Sequence, residues 1–365
     1  MSHDPSGPLS GVRVVEFAAI GPVPFAAMLL VDMGADVVRV TRPGAAQLDR
    51  RDIVERGRRI VAVDLKSAAG VAAALDLLDR ADVLLEGFRP GVMERLGMGP
   101  EPVLGRNPHL VYGRMTGWGQ RGPLAPAAGH DINYLALTGA LHAIGEAGGA
   151  PVPPLNLLGD FGGGALYLVV GVLAALLEAR RSGRGQVVDA AIVDGTLSLL
   201  TFIHAAMAHD AWRDLRGSNL LDGGAPFYAT YRCADGEYVA VGALEPQFHA
   251  QLIERLGLPP EAFADRLDPA TWPHLKEIMR AAFAARTQKE CCQLLEGTDA
   301  CFAPVLSLRA AATHPHLSAR GAFEAIDGVQ CPAPAPRFSR TPGALRPVQP
   351  EVHDAGAIAR EWGSR

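Results

Sequence analysis

Short β-branched runs alternate with helical patterns through the first third of the chain, and this alternation narrows the available folds more than any other feature. Residues 12–17, 36–40, 59–65, 82–88 and 110–115 read as strands. A Gly21-Pro22 turn opens a helix through about Met33, and residues 68–79 read as a second. Strand starts recur roughly every 25 residues, a spacing that tight hairpins do not give and helical crossovers do. The expected fold class is therefore α/β, with a doubly wound, Rossmann-like large domain. Residues 186–193 predict a further strand and 195–208 a helix. The turn after the first strand, Ala18-Ala19-Ile20-Gly21-Pro22, carries no G-x-G-x-x-G, which argues against a nicotinamide dehydrogenase.

A chain of 365 residues exceeds the usual size of one domain. The expected division is a large domain over 1–215, rejoined by a C-terminal tail at 325–365, and a small α+β domain over 225–320. Within the latter, an alternating hairpin turns at Asp235-Gly236, two or three helices run to about 295, and residues 305–308 form a short strand. Six prolines between 331 and 350 predict an extended tail crossing the surface.

A net charge of −5 argues against general nucleic-acid binding. Five cysteines without a CxxC pair suit reduced thiols in the cytoplasm. Residues 1–11 lack a secretory h-region, and the C-terminal Gly-Ser-Arg is no targeting signal. The longest apolar run, 162–177, falls short of the ~20 residues that span a bilayer and reads as a core helix, not a membrane segment.

All but three of the 34 basic residues are arginine. Eight basic residues against four acidic ones lie between Arg39 and Lys66. A solvated charged loop is one reading of that excess; a site for an anionic, multi-phosphate ligand is the other. Arg42, Lys66 and Arg89 fall near the carboxyl ends of predicted strands, where open α/β sheets bind ligands.

Three candidate acid–base residues stand in loops. His130 lies in a glycine-bounded loop. Asp160 precedes Gly162-Gly163-Gly164, which open an apolar helix and could offer free amides to an oxyanion. Glu245 precedes Pro246 in the small domain. A histidine oriented by a glutamate, with an aspartate across a substrate carbon, suits proton abstraction and return α to a carbonyl. Asp160 could equally act as a nucleophile, forming a mixed anhydride with an acyl group. The three residues lack metal-ligand spacing, so no metal is expected.

Along nearly its whole length the sequence resembles the family III CoA-transferase superfamily (CaiB/BaiF type), and within it the racemase branch. Pro8-Leu9-Ser10-Gly11, residues 34–40, Asp64-Leu65-Lys66-Ser67 and Phe88-Arg89-Pro90-Gly91-Val92 carry the superfamily resemblance. Gly129-His130-Asp131-Ile132-Asn133-Tyr134, residues 154–164 and residues 242–248 carry the resemblance to the racemases. It implies an isomerase that epimerises (R)- and (S)-2-methylacyl-CoA thioesters of lipid metabolism through an enolate; the alternative is a CoA-transferase working through an aspartyl anhydride at Asp160. His130 and Asp160 would be the acid–base pair, with Glu245 bonded to the histidine and Asp131 beside it. CoA, part of the substrate rather than a separate cofactor, would be held by Arg42, Val63, Asp64, Leu65, Lys66, Gly87, Phe88, Arg89, Arg95 and the 129–134 loop. Two chains would interlock as a homodimer, with no nucleic acid and no membrane as partners.

Overall fold

The computed structural model describes residues 7–45 and 48–363. The first six residues, read above for a signal, and the last two lie outside them. The chain divides into two compact units. One holds residues up to Thr138, then Leu155–Leu199, then Ala319 onward; the other holds Gly139–Pro154 and Leu200–Ser318.

In the first unit, seven parallel strands form one sheet: β1 (Arg13–Phe17), β2 (Asp36–Thr41), β3 (Arg59–Ala62), β4 (Val83–Glu86), β5 (Val111–Thr116), β6 (Val187–Ala191) and β12 (Val352–His353). Their order is β12-β3-β2-β1-β4-β5-β6, so the winding reverses between β1 and β4. Both faces are covered, which is why Val14, Val15, Val37, Val38, Val83, Leu84 and Leu85 read as apolar runs rather than alternations. β4 stops two residues short of the expected Phe88. The buried Glu86 carboxylate accepts the Phe88 N–H at 2.8 Å and bends the chain out of the ladder.

The apolar run after Asp160 is longer than the sequence indicated. Leu157–Ala165 winds as a π-helix and continues as an α-helix through Ser182. Together they span 26 residues, within which an 18-residue window has a mean hydropathy of 1.9, long and apolar enough to cross a membrane by those measures. Leu168, Val172 and Ala175 are buried in the same cluster as Met115 of β5 and Ala190 of β6. The helix thus packs as a layer on the sheet, while Leu166, Val170 and Leu177 face outward, 47, 64 and 69% exposed.

The tail forms a hairpin of β10 (Phe323–Ile326) and β11 (Val329–Pro332), then runs extended to β12 beside β3. The helix Ala355–Trp362 packs its Ile358 and Trp362 with Leu77 and Leu78 of the helix Ala68–Leu78. In the second unit, β7 (Tyr228–Arg232), β8 (Tyr238–Gly242) and β9 (Phe302–Val305) form an antiparallel sheet. Pro246–Leu256, Trp272–Ala284 and Gln288–Leu295 are helices that pack with it, over a core of Val239, Leu252, Phe283 and Leu295. β9 ends where a strand was expected to begin, because Ser307 caps a helical turn by accepting from the Ala310 N–H. Residues 139–154 and 200–215, assigned to the large domain from sequence, fall in this second unit. Arg216 donates to the His142 carbonyl at 3.3 Å, and Ala147 backbone lies against Gly217.

Most of the basic residues between 39 and 66 are paired with carboxylates inside the first unit, rather than standing in a solvated loop or an anion site. Arg56 pairs with Asp32 at 2.5 Å, Arg59 with Asp36 at 2.5 Å, Arg39 with Glu55 at 3.2 Å and Arg51 with Asp49 at 2.7 Å. Arg58, fully buried, lies 2.9 Å from the equally buried Glu16 and also pairs with Glu55. Burial pushes the Glu16 carboxyl up to about 7, and Arg58 opposes that shift. Removing one partner of a buried pair costs more than removing both. Arg58→Met is therefore expected to lower stability by about 3–5 kcal/mol in urea unfolding, and Glu16→Leu with Arg58→Met to recover most of it.

Candidate active site

The loops at the carboxyl ends of β1, β4, β5 and β6 enclose a cavity of about 450 Å³ at the point where the strand order reverses. Open α/β sheets leave a crevice there, because neighbouring connections depart to opposite faces. Ile20 to Val23 follow β1, Gly87 to Pro90 follow β4, and Thr116 to Trp118 end and follow β5. The first two loops touch: a Cβ on Gly87 would lie 3.2 Å from the Ala19 Cβ and 2.9 Å from Val23. His130 and Asp160 line this one cavity together.

The loop that carries His130 is fastened at both ends. Tyr134 donates its hydroxyl hydrogen bond to the Gly129 carbonyl, and its ring meets Trp118 edge-on at 4.7 Å. That ring fills the space a side chain on Gly117 would need; a Cβ there would lie 2.0 Å from it. His130 occupies the N-cap position of the helix Asp131–Leu137, and Asn133 Oδ1 accepts the His130 N–H at 3.0 Å. The imidazole is thereby presented from an otherwise exposed loop at the rim of the cavity.

Asp160 is presented by the π-helical turn, a distortion often found at functional sites. Its Oδ2 lies 3.1 Å from where a Cβ on Gly21 would stand, and Gly21 holds φ +72. Any larger residue there would be strained and would press on the carboxylate. The carboxyl is half-buried, and burial is the main reason its pKa rises to about 6; the Asp131 charge raises it further and His130 lowers it. Asp131 Oδ2 in turn accepts the Asp160 N–H at 2.7 Å. Burial raises the Asp131 carboxyl as well, while the N–H groups of Asp160 and Gly159 lower it.

The expected oxyanion donors of Gly162, Gly163 and Gly164 are not free at a helix start. The helix is already wound there, and the glycines serve close packing. A Cβ on Gly163 would lie 2.5 Å from Thr196 Oγ1, and one on Gly164 3.1 Å from Ile192. Gly195 joins the same contact, since a Cβ there would lie 1.9 Å from the Gly163 carbonyl oxygen. Two other residues were missed. Arg114 of β5 donates to Glu86 at 2.9 Å and to Glu94 at 2.8 Å, so the Glu86 that holds the Phe88 N–H is itself held. A buried glutamate at a strand end has no distinguishing pattern.

Of the residues expected at a CoA site, Gly87, Phe88 and Arg89 line the cavity, as do Gly129, His130 and Tyr134. Arg42 follows β2 and Val63, Asp64, Leu65 and Lys66 follow β3, on the same edge of the sheet; Arg95 ends the short helix Val92–Arg95. Arg42, Lys66, Arg89 and Arg95 are exposed and form no ion pair among the described residues. Ile132 and Asn133 are exposed on the helix that begins at Asp131. Glu245 belongs to the second unit, exposed at the N-cap position of Pro246–Leu256.

Residues 9–354 match the model of CoA-transferase family III. The chain is 50% identical to the α-methylacyl-CoA racemase of Mus musculus over 97% of its own length and 93% of that protein. It is 47% identical to the α-methylacyl-CoA racemase of Homo sapiens over 92% of its length and 87% of that protein. Among solved structures, a CaiB/BaiF family protein from Brucella suis superposes with a TM-score of 0.82 at 25% identity, covering 98% of this chain and 100% of that one.

The clamp on the histidine loop predicts the effect of one methyl group. Gly117→Ala must displace the Tyr134 ring, an overpacking that costs about 1–3 kcal/mol. Near-UV circular dichroism of Trp118 and Tyr134 is expected to change with it; an unaltered spectrum and unfolding midpoint would contradict the clamp.

Proposed function

The chain belongs to CoA-transferase family III, and within that family we propose that it is a racemase of 2-methyl-branched acyl-CoA thioesters. The observation that carries this reading is the pairing of an imidazole and a carboxyl of raised proton affinity in one cavity. In one direction His130 takes the α-proton, the C–H electron pair passes into the thioester carbonyl as an enolate, and Asp160 returns a proton to the opposite face. In the other direction the two exchange roles. Each turnover leaves one proton on the pair, now on the other member. A carboxyl pushed up to about 6 by burial can both deliver and accept a proton near neutral pH, as an acid–base residue must.

CoA is part of the substrate and no separate cofactor is required. Four exposed cations without a carboxylate partner among the described residues, Arg42, Lys66, Arg89 and Arg95, suit its phosphates, with residues 63–66, 87–89 and 129–134 supplying backbone and apolar contacts. We further propose a homodimer. The outward stripe of Leu166, Val170 and Leu177 is an apolar surface of the kind that partners cover. In that assembly Glu245 of one subunit bonds to His130 of the other and orients it.

A single enantiomer of a 2-methylacyl-CoA, incubated in D2O without a second acid, should gain deuterium at the α-carbon and lose optical purity. His130→Ala and Asp160→Ala should each slow this about 10²–10⁴-fold. Acyl transfer only on addition of an acceptor acid would instead assign Asp160 the nucleophile's part. For the shared site, co-expressing His130→Ala with Glu245→Ala chains should restore about a quarter of wild-type activity, since half of the randomly assorted dimers carry one intact site. Activity no higher than either variant alone would place both residues in one subunit.

A further inference from the structure

Asp131 is half-buried beside the acid–base pair, yet the proton transfers just described leave it without a role. Its carboxylate does not stand free. Oδ2 accepts the Asp160 N–H at 2.7 Å, and the Gly159 N–H bonds to the same carboxylate. Gly159 makes room for it: a Cβ there would lie 2.3 Å from Asp131 Oδ2 and 2.8 Å from its Cγ. Gly159 is absent from the glycines of left-handed φ, so the need for glycine is this carboxylate and not the backbone. Asp131 also opens the helix whose N-cap is His130. One side chain thus ties the segment carrying the imidazole to the segment carrying the carboxyl.

We propose that Asp131 is the positioning residue of Asp160: its carboxylate fixes the backbone of Gly159 and Asp160 and places a negative charge beside the Asp160 side chain. The functional meaning of this rests on the racemase reading. Two devices act together. The hydrogen bonds set where the Asp160 side chain starts, in a turn where the π-helical winding leaves the usual partners displaced. The like charge disfavours a second anion beside it. Asp131 and His130 act on the Asp160 carboxyl, and Asp160 and Arg89 both act on the Tyr134 hydroxyl. Of these, Asp131 is the one that both bonds to the Asp160 backbone and repels its ionised form.

Asp131→Asn retains a carbonyl oxygen for the Asp160 N–H and removes the charge, which separates the two devices. Carboxyl-13C NMR of the full chain, with the Asp160 signal identified by its loss in Asp160→Asn, reads the titration directly. In Asp131→Asn that titration should move down by about half a unit to one unit, and the acid limb of the kcat/KM profile should move the same way. Asp131→Ala loses the hydrogen bonds too; kcat should then fall about 10²-fold with KM within about twofold, the size of effect expected from misplacing a reacting group by about 1 Å. If Asp131→Asn does not fold, Gly159→Ala serves in its place, since its methyl must evict the carboxylate. An Asp160 titration that stays put overturns the proposal. Absence of α-deuteration in the wild type would overturn the racemase reading instead, and leaves the NMR result to judge Asp131.

Discussion

Two helices meet in this protein almost backbone to backbone. The Gly163 carbonyl oxygen lies 1.9 Å from where a Cβ on Gly195 would stand, and Thr196 N lies 2.9 Å from the corresponding point on Gly163. Close packing at backbone level leaves almost no freedom in depth or rotation. Gly164 adds a third member to the contact, meeting Pro22 of the helix after β1 as well as Ile192 of the helix after β6. The turn that bears Asp160 is therefore seated against the connections on either side of the sheet's reversal. The Phe161 ring, stacked on Phe25 at 4.2 Å, holds its orientation. Placement of one carboxyl over the crevice follows from glycines that touch nothing chemical.

This explains what could and could not be read from the residues. The parallel sheet was legible because strands buried on both faces must be apolar throughout, and the helical crossovers between them have a characteristic length. His130 drew notice as a histidine in a glycine-bounded loop on a rigid scaffold, and its role came from the resemblance of residues 129–134 to the racemases; the cavity brings it together with Asp160. The glycine run was misjudged as a source of free amides, since the same residues suit close approach by a ligand or by another helix, and only Gly195, far along the chain, distinguishes the two. The clamp of Tyr134 on Gly117 was invisible for a similar reason: it is a pairing across sequence, and neither residue is unusual alone. The residues around 139–154 went to the wrong body because a loop's allegiance depends on what it packs against.

The charges tell the same story at lower resolution. A local excess of arginine looked like a phosphate site, and within it Arg56, Arg58 and Arg59 proved to be tied to carboxylates on β1, β2 and the helix Pro22–Asp32. Those ties hold β3 and the segment before it to the sheet. What remains for a ligand is a smaller set at the strand ends, where each guanidinium or ammonium meets water. Counting charge along a sequence cannot separate the two populations, because a buried pair and an exposed cation are spelled with the same letters.

The edge strand β12 carries a consequence for how the protein is made. It closes the β3 side of the sheet and is followed by a helix that covers Leu77 and Leu78, yet both follow residues 200–318 in the chain. During vectorial synthesis, residues 200–318 leave the ribosome as an almost continuous body and can collapse on their own, while β3 waits with an unpaired ladder and an uncovered apolar flank. Deleting the helix Ala355–Trp362 would leave that flank bare in the finished molecule. Here a segment translated after the second unit is the part that seals the first.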